Sequence, residues 1–269
     1  MATPVRDVDT NPNGDLPGGS LQSVDRAITV LKILARSGSA GVTEVAEEMG
    51  VHKSTISRLL RALEAQGMAQ SSGRGKYQLG LGILHLANSI PMRLDLAAEA
   101  RPVLEALASK FGETVNLAVL SSNHVVNIDE AFGPSTLGTK NWMGLLTPIH
   151  ATSSGKVFLA SLSAAERDRM LKELGMPAVT NQTITSRQEL ESQLAVVAKA
   201  GYATVHGELE DELDGIAVPV RGHHGTVIGA VSISGPSFRF KPEKHPELID
   251  ELKQAGLKIS ESMGFRPRP

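Results

Sequence analysis

The chain contains no cysteine. Disulfides, thiol catalysis and thiolate-held metal sites are therefore excluded. It also lacks any apolar run near the roughly 20 residues that a membrane-spanning helix needs, so no membrane partner is expected. Residues 1–20 have no apolar stretch of the signal-peptide kind; they are polar, rich in Pro, Gly and Asp, and read as a disordered tail. A cytoplasmic location is the expectation. Catalytic signatures are incomplete as well. Ser154-Gly155-Lys156 has the form of the end of a phosphate-binding loop, but His150 stands where the loop's first Gly belongs, and Val157 follows in place of Ser or Thr. Ser37-Gly38-Ser39-Ala40-Gly41 misses the first Gly of a nucleophile elbow. His206, Glu208, His223 and His224 are the candidate metal ligands, yet there is no H-E-x-x-H, and His223-His224 sits between Gly222 and Gly225 in a turn. The expectation is a chain with no catalytic residue, no metal and no cofactor. Its alternatives are an enzyme acting on a small carboxylate through Ser and His, and a constitutive DNA-binding protein.

At 269 residues, 41% of them hydrophobic, the chain is long enough for one large domain or for a small and a medium one. Its formal charge of −2 says little, but the distribution says more. Between Gly50 and Gly80 stand Lys53, Arg58, Arg61, Arg74 and Lys76 against the single acid Glu64, a local net charge of +4. Residues 208–214 are acidic. A small basic region on a larger body that is not basic predicts a local anion-binding surface, with a different task for the remainder.

Ser23 is a favourable N-cap, and Val24, Ile28, Leu31, Leu34 and Ala35 recur at helical spacing until Gly38. Thr43 is expected to cap a short helix through Met49 that Gly50 ends, and a third helix runs from Lys53 to Gln66. Met68–Ser71 and Lys76–Leu79 flank a Ser-Gly-Arg-Gly turn, which predicts a hairpin. Three helices and a hairpin make a winged helix-turn-helix over residues 21–80. Leu81–Ile90 reads as a linker, part of a connecting segment over residues 81–93 whose helix ends before Pro91. Leu94–Phe111 is a longer helix with Leu96, Val103, Leu104 and Leu107 on one face and a kink or break at Pro102. Strands are expected over Thr114–Leu120, His124–Ile128, Tyr202–Val205, Gly215–Val220 and Val227–Ser234. Helices are expected over Ala151–Ser161, Ala164–Leu174, Ser186–Ala200 and Pro246–Met263. The fold class is α+β, with residues 94–265 forming a second domain around a central antiparallel or mixed sheet of about five strands.

Residues 42–61, VTEVAEEMGVHKSTISRLLR, carry the chemistry of the first domain. Two helices that cross steeply need a small residue at the contact, supplied by Ala46, and a residue tolerant of positive φ in the turn, supplied by Gly50. Val45, Met49, Val51, Ile56 and Leu59 provide the apolar lock. The polar side of the third helix offers Lys53, Ser54, Thr55, Ser57, Arg58 and Arg61. Hydroxyls at a helix start donate to phosphates or base edges, and Arg binds guanine bidentately in the major groove. Ser54, Thr55 and Arg58 are the candidates for base reading; Lys53 and Arg61 are those for the backbone. Arg26, Thr43, Arg74 and Lys76 complete the candidate interface with double-stranded operator DNA.

With the winged helix placed before a ligand-sized domain, the chain resembles the IclR family of bacterial transcriptional regulators. The likeness runs from Leu21 to Phe265 and rests on separated motifs in order. They are Ser23-Val24-Asp25-Arg26-Ala27 and the reading helix, then His150-Ala151-Thr152-Ser153-Ser154-Gly155-Lys156, Gly201-Tyr202-Ala203, Ile216-Ala217-Val218-Pro219-Val220 and Ser232-Ile233-Ser234-Gly235-Pro236. The resemblance implies a GAF-like effector-binding domain, a dimer formed through the N-terminal domains or a tetramer of two such dimers, and action as repressor or activator. It also implies a small organic acid effector, held at Ser153 and Ser154 on a helix start, at Ser232 and Ser234 on a strand, and at Val205 and Gly215. Some relatives place an acid and a cysteine at the last two positions; Val and Gly there imply a roomier, more apolar pocket suited to an aromatic or longer acid. Trp142 and Met143 are the residues expected to cover such a ring.

Overall fold

The computed structural model describes residues 22–88, 91–134 and 142–266 and divides into two compact units, residues 1–91 and 92–269. The expected tail over residues 1–20 and the end of the expected linker, residues 89–90, lie outside the described residues.

In the first unit, α1 (Gln22–Ser37), α2 (Val42–Glu48) and α3 (Lys53–Ala65) enclose a core of Val30, Ile33, Leu34, Val45, Ala46, Ile56 and Leu60. The apolar face of α1 differs from the expected one. Val30, Ile33 and Leu34 point inward, whereas Val24 and Ile28 are 53% and 48% exposed. Nor is Ser23 a cap, because α1 already includes Gln22. Thr43 also lies inside its helix: the cap of α2 is Gly41, whose N–H donates to Glu44 Oε2 at 2.9 Å. Glu44 has the reach to fold back on that donor, and Thr43 is left exposed. On α3 the deepest residue after Ile56 is Leu60, with Leu59 only half-buried. Gly50 takes φ +63° between α2 and α3, the conformation that its place in the turn demands.

The hairpin β2 (Ala69–Gly73) and β3 (Lys76–Leu79) forms as expected, and its tip runs through Gly73, Arg74 and Gly75, all at positive φ. A two-residue strand, β1 (Ala40–Gly41), joins β3 on its other side, giving the order β1-β3-β2. The helix α4 (Gly82–Asn88) follows.

The helix α5 (Pro91–Phe111) continues unbroken through Pro102, and from residue 92 the chain belongs to the second unit. Among the described residues six strands follow: β4 (Thr114–Ser121), β5 (His124–Ala131), β6 (Leu146–Thr147), β7 (Ala203–His206), β8 (Leu213–Arg221) and β9 (Val227–Pro236). They pair antiparallel in the order β6-β5-β4-β9-β8-β7. Four more helices are α6 (Ser153–Ser161), α7 (Ala164–Leu174), α8 (Arg187–Ala200) and α9 (Pro246–Ser262).

Strand periodicity divides this sheet into two unlike faces. Toward α5 and α9 it presents Val115, Leu117, Ile216, Val218, Val231 and Ile233, packed on Leu104, Leu107, Leu252 and Ile259. Toward α6 and α8 it presents Ala118, Ala217 and Ala230, packed on Val157, Phe158, Leu190 and Leu194. Large branched residues fill the first face; small ones leave room on the second. That difference leaves a hollow on the second face.

Candidate functional site

Two sites deserve description, one in each unit. In the first, α3 shows Lys53, Ser54, Arg58 and Arg61 exposed on one side, while Thr55 and Ser57 are half-buried. Their opposite side is fixed by Ile56 and Leu60, so the cationic face is held on a rigid element. The Val51 N–H donates to the Ala46 carbonyl at 3.1 Å, closing the turn that sets α3 against α2. Arg74 is exposed at the hairpin tip. Lys76 pairs with Glu44 Oε1 at 3.3 Å, and the bond from Gly41 together with that ammonium keeps the Glu44 carboxyl below the usual carboxylate range. Arg26 is half-buried on α1.

In the second unit the small-residue face meets the start of α6. Its N-cap is Thr152, whose hydroxyl accepts from Gly155 N–H at 3.0 Å. A Cβ on Gly155 would stand 1.9 Å from the Ile149 carbonyl oxygen, so only glycine lets the first turn of α6 approach the preceding loop this closely. Beside this helix start lies a cavity of about 70 Å³. Antiparallel register lays out the strands beneath it in rows. Val205, Gly215, Ser234 and Thr114 lie opposite one another across β7, β8, β9 and β4; Ala203, Ala217, Ser232 and Asn116 form the next row.

Of the eight effector candidates, seven line this cavity: Trp142, Ser153, Ser154, Val205, Gly215, Ser232 and Ser234. Met143 does not; it is paired with Asn127 through a parallel bridge and is 38% exposed. Gly215 is not a gap in the wall, because a Cβ there would lie 3.3 Å from both Ser153 Oγ and Val205 Cγ2. The space exceeds the roughly 10–15 Å³ of one water site and is about half the roughly 150 Å³ of an apolar cavity that takes up benzene.

Further lining residues include Asp214, Asn127 and Asn116. Asp214 lies on the wall, 1% exposed, but its oxygens are engaged: Ser237 Oγ donates to Oδ1, while His206 Nδ1 at 3.0 Å and Lys241 Nζ at 3.3 Å meet Oδ2. Burial pushes this carboxyl up, yet those three partners outweigh it and the net displacement is downward. Asn127 reaches the cavity because of a bulge in β5: Leu117 pairs with Asp129 and Ala118 with Asn127, leaving Ile128 as the extra residue. Asn116, on β4, lines the floor as well.

Lys156 lies one turn into α6 and is 0% exposed. Its ammonium donates to Gln193 Oε1 at 2.8 Å and to Glu208 Oε1 at 2.5 Å. Burial lowers the Lys156 pKa and raises that of Glu208. The other metal-ligand candidates are scattered: His206 bridges Asp214 and Glu243, and His223 faces the Gly264 carbonyl. Among the described residues no cluster of metal-ligating side chains occurs, and no helix is long and apolar enough to cross a membrane.

Comparison with known proteins agrees with this arrangement over both units. Residues 23–73 match the family described as the IclR helix-turn-helix domain, and residues 89–261 match that described as the bacterial transcriptional regulator IclR C-terminal. The chain is 31% identical over 247 residues to the transcriptional regulator XynR of Escherichia coli, covering 91% of this chain and 98% of that protein. It is 31% identical over 250 residues to the transcriptional repressor IclR of the same organism, covering 91% of each. Among solved structures, the Thermotoga maritima IclR superposes with a TM-score of 0.76 at 27% identity, over 91% of this chain and 100% of that one. An IclR homologue from Microbacterium hydrocarbonoxydans complexed with 4-hydroxybenzoate superposes with a TM-score of 0.75 at 26% identity, over 90% and 98%. With a helix-turn-helix in one unit, a lined cavity in the other and family matches across both, the chain belongs to the IclR family of transcriptional regulators.

Proposed function

We propose that the protein binds operator DNA through α3 and that a small organic acid in the second unit governs this binding. The carrying observation is the exposed row Lys53, Ser54, Arg58 and Arg61, held rigid by Ile56 and Leu60. Ser54, Thr55 and Arg58 read bases in the major groove, Lys53, Ser57 and Arg61 hold phosphates, and Arg74 and Lys76 follow the backbone or the adjacent minor groove. Arg26 and Thr43 add contacts at the margin of that surface.

The effector's carboxylate is placed at the start of α6 beside Ser153 and Ser154, with Ser232 and Ser234 lining the same cavity. An aromatic acid is supported by Trp142 on the wall and by the relative that holds 4-hydroxybenzoate.

The working unit is a dimer, or a tetramer of two dimers, assembled through the first units. Val24 and Ile28 on α1, with Leu81 and Leu84 on the segment after the hairpin, are large exposed apolar residues of the kind that such an interface covers. Two reading helices then meet half-sites about 34 Å apart, one helical turn of DNA. The acid shifts DNA affinity through the segment over residues 81–93 by its differential affinity for two states, typically about 1–3 kcal/mol. The place of action is the cytoplasm, and the protein acts by binding, without catalysis. Selection from a random DNA pool, followed by gel shifts with and without organic acids, tests the reading. A palindromic consensus whose affinity responds to one acid supports it; no sequence preference overturns it.

A further inference from the structure

Asn116 sits in the middle of β4, in the run Thr114-Val115-Asn116-Leu117-Ala118. Val115 and Leu117 turn into the core beneath α5 and α9, so Asn116 faces the other way, onto the floor of the cavity. It is 6% exposed, and its Oδ1 has no hydrogen-bond partner among the described residues. Its cross-strand neighbour toward β8 is Ser232, another lining residue. An amide oxygen buried this deeply without a partner is rare, because an unmet acceptor loses its water without replacement. An apolar residue of similar size would avoid that loss and keep the alternation of the strand. Ser153 and Ser154 at the start of α6 border the same cavity and suit a carboxylate; Asn116 presents a separate polar group.

We propose that Asn116 is the specificity-determining contact for a hydroxyl group on the effector, so that the ligand class is a hydroxy-substituted carboxylic acid. This rests on the carboxylate-binding reading of the α6 start. A hydroxyl both donates and accepts, so it satisfies either end of the amide, which a bare ring or chain cannot do. Discrimination is strong where a site is built to bond a polar group, because the analogue that lacks the group leaves the protein's own polar atom unmet.

The test uses matched pairs titrated calorimetrically into the full chain: benzoate against 3- and 4-hydroxybenzoate, and butanoate against 4-hydroxybutanoate. The wild type is expected to bind one hydroxylated member about tenfold or more tightly than its parent. In Asn116→Val this preference falls below about threefold while the parent acid still binds and operator gel shifts are unchanged. Asn116→Ser, which keeps a small polar group but shortens the reach, is expected to fall between. Equal binding within every pair, or a preference that survives in Asn116→Val, overturns the proposal while leaving the carboxylate site standing. If none of these acids binds the wild type at millimolar concentration, the proposal and the pocket reading fall together. Unfolding of both variants shows the amide to be structural and also overturns it.

Discussion

Lys156 Nζ, fully enclosed on α6, donates to Glu208 Oε1 at 2.5 Å, tying the helix that opens the cavity to the acidic loop before β8. The same loop is held from its other side by Thr183, whose hydroxyl donates to the Glu208 carbonyl at 2.7 Å. Removing one member of such a pair strands the other charge in the interior. Lys156→Met is expected to cost about 3–5 kcal/mol of stability at pH 7. Glu208 already has its pKa raised by burial, and losing the ammonium raises it further. The folded variant then binds a proton more tightly than the unfolded chain does. Its deficit is therefore smallest in acid and grows as pH rises through the folded pKa. Denaturant melts of variant and parent from pH 4 to 8 check this; a deficit independent of pH would refute it.

Arg58 and Lys76 are expected to fail differently. Arg58 is exposed on α3, whereas Lys76 lies at the hairpin and already pairs with Glu44 on the surface. Arg58→Ala should relax preference at one base position, at a cost of about 1–3 kcal/mol. Lys76→Ala should weaken all sequences alike and lower the salt slope by about one. Gel shifts against selected and scrambled operators across a salt series separate the two outcomes.

Ser154 borders the cavity and belongs to the first turn of α6. Ser154→Leu should fill the space next to the helix start and abolish the response to organic acids while operator affinity stays within about twofold. Thermal shift with and without ligand, beside a gel shift, checks it. Loss of both activities would mean misfolding instead.

Asp214 gives an acid-side prediction. Its folded pKa is depressed, so the stabilisation it contributes is present above the unfolded value of about 3.9 and lost as pH falls through the folded one. Asp214→Asn should be less stable than the parent at pH 7, and the gap should close below about pH 4. Melting temperatures across that range measure it.

The helix-turn-helix was legible because its constraints are local: Ala46, Gly50 and the apolar positions around them fall within one short stretch of chain. What escaped were features that local pattern does not encode. β1 and β6 are two residues long, too short for any alternation to register. Val24 and Ile28 have helical spacing yet face outward, because spacing fixes a stripe and not the side on which the body lies. Thr43 and Glu44 both suit a helix start, and the longer side chain does the capping. The cavity is assembled from β7, β8, β9 and β4, distant in the chain, so no local pattern marks its serines and only the family resemblance points to them. A signal for Asn116 did exist: one amide inside the apolar run of β4.

The unequal faces of the sheet have a consequence for how such a protein diversifies. One side is crowded with branched residues whose loss would be felt as lowered melting temperature; the other is furnished with alanine, serine and glycine around a void. Enlarging or trimming a side chain on the sparse side alters what is admitted without disturbing the crowded one. The strands act as a partition between durability and taste, so a lineage can exchange one signal molecule for another while the same scaffold stays upright.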